Sequence, residues 1–189
     1  RGTPGRGRDY ERTIAGDLTT LPLEDQVAGL EALGERYPEM DLKRVGIFGW
    51  SFGGTMTLMG VLTRPDIYRA GAAVAAVTDW HLYDTHYTER YLGLPDDNPS
   101  GYKRSSPLSR AGELARPLTI LHGTVDDNVH SANSFAMVDA LFRAGRKHVF
   151  VPIAGAAHQV RDHKAEVAVW EHIAAFMDAF LAAAPNARF

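Results

Sequence analysis

The chain has 189 residues, no cysteine and a formal net charge of −3. That length suits one globular domain of roughly 100–200 residues, and 45% apolar with 23% charged residues supports a packed core rather than disorder. The charge gives no footing for a nucleic-acid or anionic-membrane partner, and no apolar run reaches the roughly 18 residues that a membrane span needs.

The lack of cysteine removes disulfides, thiolate metal sites and a cysteine nucleophile, without fixing the compartment; periplasm and cytoplasm both stay open. The first residue is Arg1, which reads as a removed leader or a start inside a longer chain. Residues 1–19 are rich in glycine and charge and read as a loop. Pro22 opens a helix with Leu23, Val27, Leu30, Leu33 and Tyr37 on one face, and Pro38 ends it. Residues 44–49 form a buried strand before a glycine-rich turn, and 52–63 a helix that stops before Arg64-Pro65. Residues 72–77 read as a second strand, 78–116 as a long irregular stretch, and 117–121 as a third strand. Ser131 caps a helix with Phe135, Val138, Leu141 and Phe142 on one face. Residues 149–153 are a fourth strand. The last helix starts near Ala165 and buries Trp170, Ile173, Met177, Phe180 and Leu181.

Short apolar strands alternating with amphipathic helices predict βαβ units: a mostly parallel sheet between two helical layers. Chemistry in such sheets sits beyond the carboxyl ends of the strands. After the first strand comes Gly49-Trp50-Ser51-Phe52-Gly53-Gly54, a G-x-S-x-G between strand and helix. A tight turn there lifts the Ser51 hydroxyl above the sheet as a nucleophile. It also aims the Phe52 N–H, at a helix N-terminus, toward a developing oxyanion. After the third strand comes His122-Gly123-Thr124-Val125-Asp126-Asp127-Asn128-Val129-His130. Asp126 or Asp127, with Asp126 favoured, would hold and orient a histidine; the other reading is an Asx turn that caps a helix. After the fourth strand comes Gly155-Ala156-Ala157-His158-Gln159, which supplies that histidine as general base and acid. The competitor is His163. His81, His86, His148 and His172 read as surface or packing residues. The order Ser, Asp, His is that of the α/β-hydrolases.

With Trp80-His81-Leu82-Tyr83-Asp84-Thr85-His86-Tyr87-Thr88-Glu89-Arg90-Tyr91-Leu92-Gly93 added, the sequence resembles the catalytic domain of the prolyl oligopeptidase family, in its dipeptidyl peptidase IV-like branch. The resemblance covers nearly the whole chain. It implies an α/β-hydrolase fold, here incomplete, with four of the usual eight strands. It implies Asp126 as the triad acid, and removal of dipeptides from a free N-terminus after proline or, less well, alanine. A proline slot would be built by Phe52, Val77, Trp80, Tyr83, Tyr87, Asn128 and Val129. A flat apolar ring suits such aromatic walls, although Trp80, Tyr83 and Tyr87 also read as ordinary core. The family usually has Tyr where Phe52 stands, which bears on fine specificity. The family needs no metal or cofactor. Its members place a β-propeller and the first hydrolase strands upstream, with acidic residues for the substrate amine and a tyrosine as second oxyanion donor. A homodimer is also implied.

Three other readings remain. One is a catalytically silent half-domain that works only by association, because the strand of Val45, Ile47 and Phe48 would otherwise be an open edge. Another is an esterase with the same triad. The third is a metal site from His122, Asp126, Asp127, His130 and His158, which lacks any defined ligand spacing.

Overall fold

A computed structural model describes residues 1–182. Four strands form one parallel sheet in the order β1-β2-β3-β4: β1 Val45–Trp50, β2 Tyr68–Val74, β3 Leu118–Gly123 and β4 Val149–Ile153. Side chains alternate along β3. Leu118 and Ile120 face α2 (Thr20–Arg36), α3 (Phe52–Thr63) and α6 (Ala132–Arg143), whereas Leu121 faces α7 (His163–Leu181). The result is the three-layer αβα arrangement that the strand pattern predicts.

Several boundaries differ from the sequence reading. The second strand lies at 68–74, not 72–77. Ala75 takes φ 47°, which ends the extended run and turns Ala76 and Val77 off the sheet. Residues 1–19 hold a short helix, α1 (Arg8–Arg12), and bury Ile14 and Leu18. The Gly16 N–H donates to the Tyr91 carbonyl and the Leu18 N–H to Ser105 Oγ, so this segment is anchored. The stretch 78–116 is helical in part. It carries 3₁₀ turns at Trp80–Leu82 and Pro107–Glu113, α4 (Thr85–Leu92) and α5 (Pro99–Ser105). Leu33 on α2 and Tyr37 just beyond its end are exposed; Leu23 and Val27 are the residues that bury. On α6, Met137 and Leu141 are buried, while Phe135 and Phe142 face outward. On α7, Val169, Ile173 and Phe176 form the buried stripe. Trp170 is half exposed and meets the exposed Phe48 edge-on at 5.9 Å.

A separate apolar cluster sits over the carboxyl ends of the strands. It joins Ile14, Leu18, Val77, Trp80, Leu92, Tyr102 and Val129 with the half-buried Phe52, Tyr83, Tyr87 and Tyr91.

Candidate active site

The turn between β1 and α3 has φ 59°, ψ −120° at Ser51 itself. A non-glycine residue there costs on the order of 1–3 kcal/mol and persists only when its surroundings enforce it. They do: the Ser51 N–H donates to the Val74 carbonyl at 2.9 Å, and the Ser51 carbonyl accepts from the Thr55 N–H at 3.0 Å. Gly49 and Gly54 serve close approach. A Cβ on Gly49 would lie 2.2 Å from the Gly53 carbonyl oxygen, and one on Gly54 2.7 Å from that of Val74. Phe52 opens α3, so its N–H is among the first-turn donors that a helix leaves unused.

The acid loop joins β3 to α6. Asp126 is buried, and its Oδ1 accepts the N–H groups of Asn128 (3.0 Å) and Val129 (2.9 Å). Its Oδ2 accepts from His158 Nδ1–H at 2.8 Å, with the proton placed there by its carboxylate partner. Asp126 therefore forms the Asx turn and partners the histidine, but it caps no helix: α6 begins at Ala132 with Ser131 as N-cap and no side-chain capping hydrogen bond. Asp127 is exposed. His122 braces the loop from below. It is buried, its Nε2–H donates to the Val129 carbonyl at 2.8 Å, and its Nδ1 lies 2.6 Å from Ser134 Oγ. Burial pushes the His122 pKa down, although the bond to the Val129 carbonyl opposes this. Both ring nitrogens are engaged within the protein. Among the described residues, no group of three His, Asp or Glu is placed to hold a metal ion.

His158 lies on the loop after β4, 18% exposed at its side chain. Its carbonyl accepts the Trp50 indole N–H at 2.8 Å, which ties the histidine loop to the residue before Ser51. Gly155 N–H donates to Thr124 Oγ1 at 2.9 Å, a further tie to the acid loop. His163 is the exposed first residue of α7. Among the described residues no hydrogen bond joins Ser51 Oγ to His158 Nε2. Such bonds are often long before substrate binds and tighten afterwards.

The seven slot residues come together. Trp80 is the hub: its ring centroid lies 6.2 Å from Phe52, 5.9 Å from Tyr83 and 5.9 Å, stacked, from Tyr87. Val77 and Val129 are buried in the same cluster. Tyr83 Oη–H donates to Asn128 Oδ1 at 3.0 Å. Burial raises the pKa of both Tyr83 and Tyr87, so both phenols stay neutral near pH 7. Trp80 is 1% exposed and its indole N–H donates to the Ser105 carbonyl at 2.8 Å, so it forms the buried centre of the cluster while Phe52, Tyr83 and Tyr87 are half-buried around it. Sequence reasoning missed Trp50, Ser105 and Asn133. Their roles are long-range hydrogen bonds, for which local pattern carries no signal.

A model described as the prolyl oligopeptidase family matches residues 1–184. The chain is 41% identical over 164 residues to human dipeptidyl peptidase 8, covering 85% of this chain and 18% of that protein. The mouse protein of the same name is 40% identical, with the same coverage. Among solved structures, Porphyromonas gingivalis dipeptidyl peptidase 4 superposes with a TM-score of 0.90 at 36% identity, over 96% of this chain and 26% of that one. The chain thus spans about a fifth of the length of the curated relatives it matches.

Proposed function

The chain belongs to the prolyl oligopeptidase family, and on that premise we propose that it carries the nucleophile, acid and base of a dipeptidyl peptidase. One observation carries the reading: a buried carboxylate and an imidazole 2.8 Å apart, tied through Trp50 to a strained serine turn. Ser51 Oγ attacks the scissile carbonyl while His158 Nε2 takes its proton. Asp126 stabilises the imidazolium, and the Phe52 N–H receives the oxyanion. His158 then gives the proton to the leaving amine, and the acyl group stays on Ser51. Water, deprotonated by His158, attacks the ester; the acid product leaves and the proton returns to Ser51.

The substrate class is the one the family resemblance implies, proline or, less well, alanine at the cleaved position. Phe52, Tyr83 and Tyr87 around Trp80 supply aromatic surface that suits the compact apolar ring of proline. Upstream propeller and sheet elements of a longer parent chain, and a homodimer, belong to the same reading. β1 is an edge strand of the described sheet and its own Phe48 is 56% exposed, which suits an added strand. Phe135 and Phe142 give α6 an exposed apolar face for a partner subunit. These 189 residues by themselves should turn over slowly, because one missing oxyanion donor costs roughly 10²–10³ in kcat.

The test compares Gly-Pro- and Gly-Leu-nitroanilide with the full-length chain. The expected result is a kcat/KM at least about tenfold higher for Gly-Pro, since a slot clash or void is worth roughly 1–3 kcal/mol. Equal cleavage of both would remove the proline reading. Cleavage of p-nitrophenyl esters without either peptide would favour the esterase.

A further inference from the structure

We propose that Asn133 is a positioning residue that sets selectivity by clamping the aromatic slot to the acid loop. The inference rests on the peptidase reading, because it concerns the same slot.

Asn133 lies in the first turn of α6 with no exposed surface. Its carboxamide is bonded in all four directions. Oδ1 accepts the N–H groups of Thr78 at 2.9 Å and Asp79 at 3.4 Å. Nδ2–H donates to the carbonyls of His130 at 3.2 Å and Leu82 at 3.4 Å. Its own main-chain carbonyl accepts from Thr78 Oγ1–H at 2.7 Å. These partners lie on two sides of the site. The 78–82 segment carries Trp80 and leads into Tyr83, whereas His130 closes the loop that carries Asp126 and Asn128. The Tyr83–Asn128 hydrogen bond makes a second, exposed link between the same two segments.

The required chemistry is narrow. Two main-chain N–H groups need an acceptor, and two main-chain carbonyls need donors, at one buried point. A primary amide supplies both. A carboxylate supplies the acceptor but turns a second negative oxygen toward two carbonyls. An apolar side chain leaves buried polar groups without partners, a costly state. Asn133 touches neither Ser51 nor His158 by any hydrogen bond, so its loss acts on the shape of the slot before it acts on the nucleophile.

The experiment uses Asn133→Asp and Asn133→Ala in the full-length chain, each against wild type. Two rates are read from about pH 5 to about pH 8, where a buried carboxyl with a raised pKa titrates. One is kcat/KM for Gly-Pro-nitroanilide. The other is labelling of Ser51 by a small fluorophosphonate, which does not need the slot. In Asn133→Asp the introduced carboxyl, while protonated, still donates one hydrogen bond; once ionised it repels the His130 and Leu82 carbonyls. Its kcat/KM relative to wild type should therefore fall with rising pH by about tenfold or more, chiefly through KM, with labelling falling far less. Asn133→Ala should lower kcat/KM at every pH and narrow the preference for Gly-Pro over Gly-Leu. The inference is overturned if, in both variants, the two rates fall together or neither falls. A wild-type chain that neither labels nor cleaves would overturn the peptidase reading and this inference with it. An active wild type with the two rates locked together overturns the inference alone.

Discussion

The acid loop and the histidine loop, joined by the Asp126–His158 hydrogen bond, are held in different ways. The acid loop is gripped from inside: Asp126 Oδ1 takes two main-chain N–H groups of its own loop, and buried His122 holds the Val129 carbonyl. The histidine loop is held by its neighbours. His158 is fixed by the Asp126 carboxylate at its ring and by the Trp50 indole at its carbonyl. The acid is thus set by local folding, whereas the imidazole finds its place when three separate loops come together. The placement of His158 therefore depends on contacts outside its own loop, whereas that of Asp126 is set within its loop.

Replacing the proposed nucleophile and base should have the largest effect. Ser51→Ala and His158→Ala should each lower kcat by about 10⁴-fold or more in the full-length chain, with little change in the thermal midpoint, because the triad acts as a unit. Retention of a tenth of wild-type kcat in either variant would exclude that residue, and an inactive His163→Ala beside an active His158→Ala would reassign the base.

Asp126→Asn separates the two jobs of one carboxylate. The amide oxygen can still accept from Asn128 and Val129, so the loop should survive. The amide NH₂ then faces His158 and imposes the wrong tautomer, for a loss of roughly 10³–10⁴ in kcat. Asp127→Asn, on an exposed side chain, should leave kcat within about twofold, as surface changes usually do. The reverse order would show that the acid had been misassigned.

Trp50→Phe tests whether the histidine loop is held by its neighbours. The ring remains but the indole N–H to the His158 carbonyl is lost. A net hydrogen bond of about 1 kcal/mol corresponds to roughly fivefold in kcat, with KM for Gly-Pro near its wild-type value. An unchanged kcat would mean that Asp126 alone places the ring.

His122→Gln makes the smallest change and tests the grip on the acid loop. The folded pKa of His122 lies below its ordinary value of 6.5, chiefly through burial. As pH falls below about 6.5, the unfolded chain binds a proton that the folded chain resists, so this group lowers stability on the acid side. Glutamine does not titrate. The variant should lose about 1 kcal/mol near pH 7.5, and its deficit should shrink toward pH 5.5 in urea unfolding. A deficit that grows on acidification would mean that His122 is charged in the folded chain.

Much of this candidate site is legible because each proposed reacting residue follows a strand, and strand–turn–helix order survives errors in strand ends. Ser51, His158 and the Asp126-Asp127 pair are nameable from order alone. The choice between Asp126 and Asp127 depends on which carboxylate turns inward, a geometric fact that adjacent identical residues hide. The ends of β2 were not legible, since Ala70 to Val77 is too uniformly small and apolar to carry a period. Nor was the outward face of α6: Phe135 and Phe142 fit a helical stripe, yet they are 53% and 78% exposed. Asn133 reads as a polar residue in the first turn of a helix until its partners 51 to 55 positions away are seen.

The central claim is that one turn, one carboxylate and one imidazole form a single catalytic unit. The most direct measurement is fluorophosphonate labelling of the full-length chain, with the modified peptide mapped by mass spectrometry. The predicted result is one adduct on Ser51, blocked by Gly-Pro substrate and slowed by about 10³-fold or more in His158→Ala. Labelling on another residue, or at the wild-type rate without His158, would contradict the account.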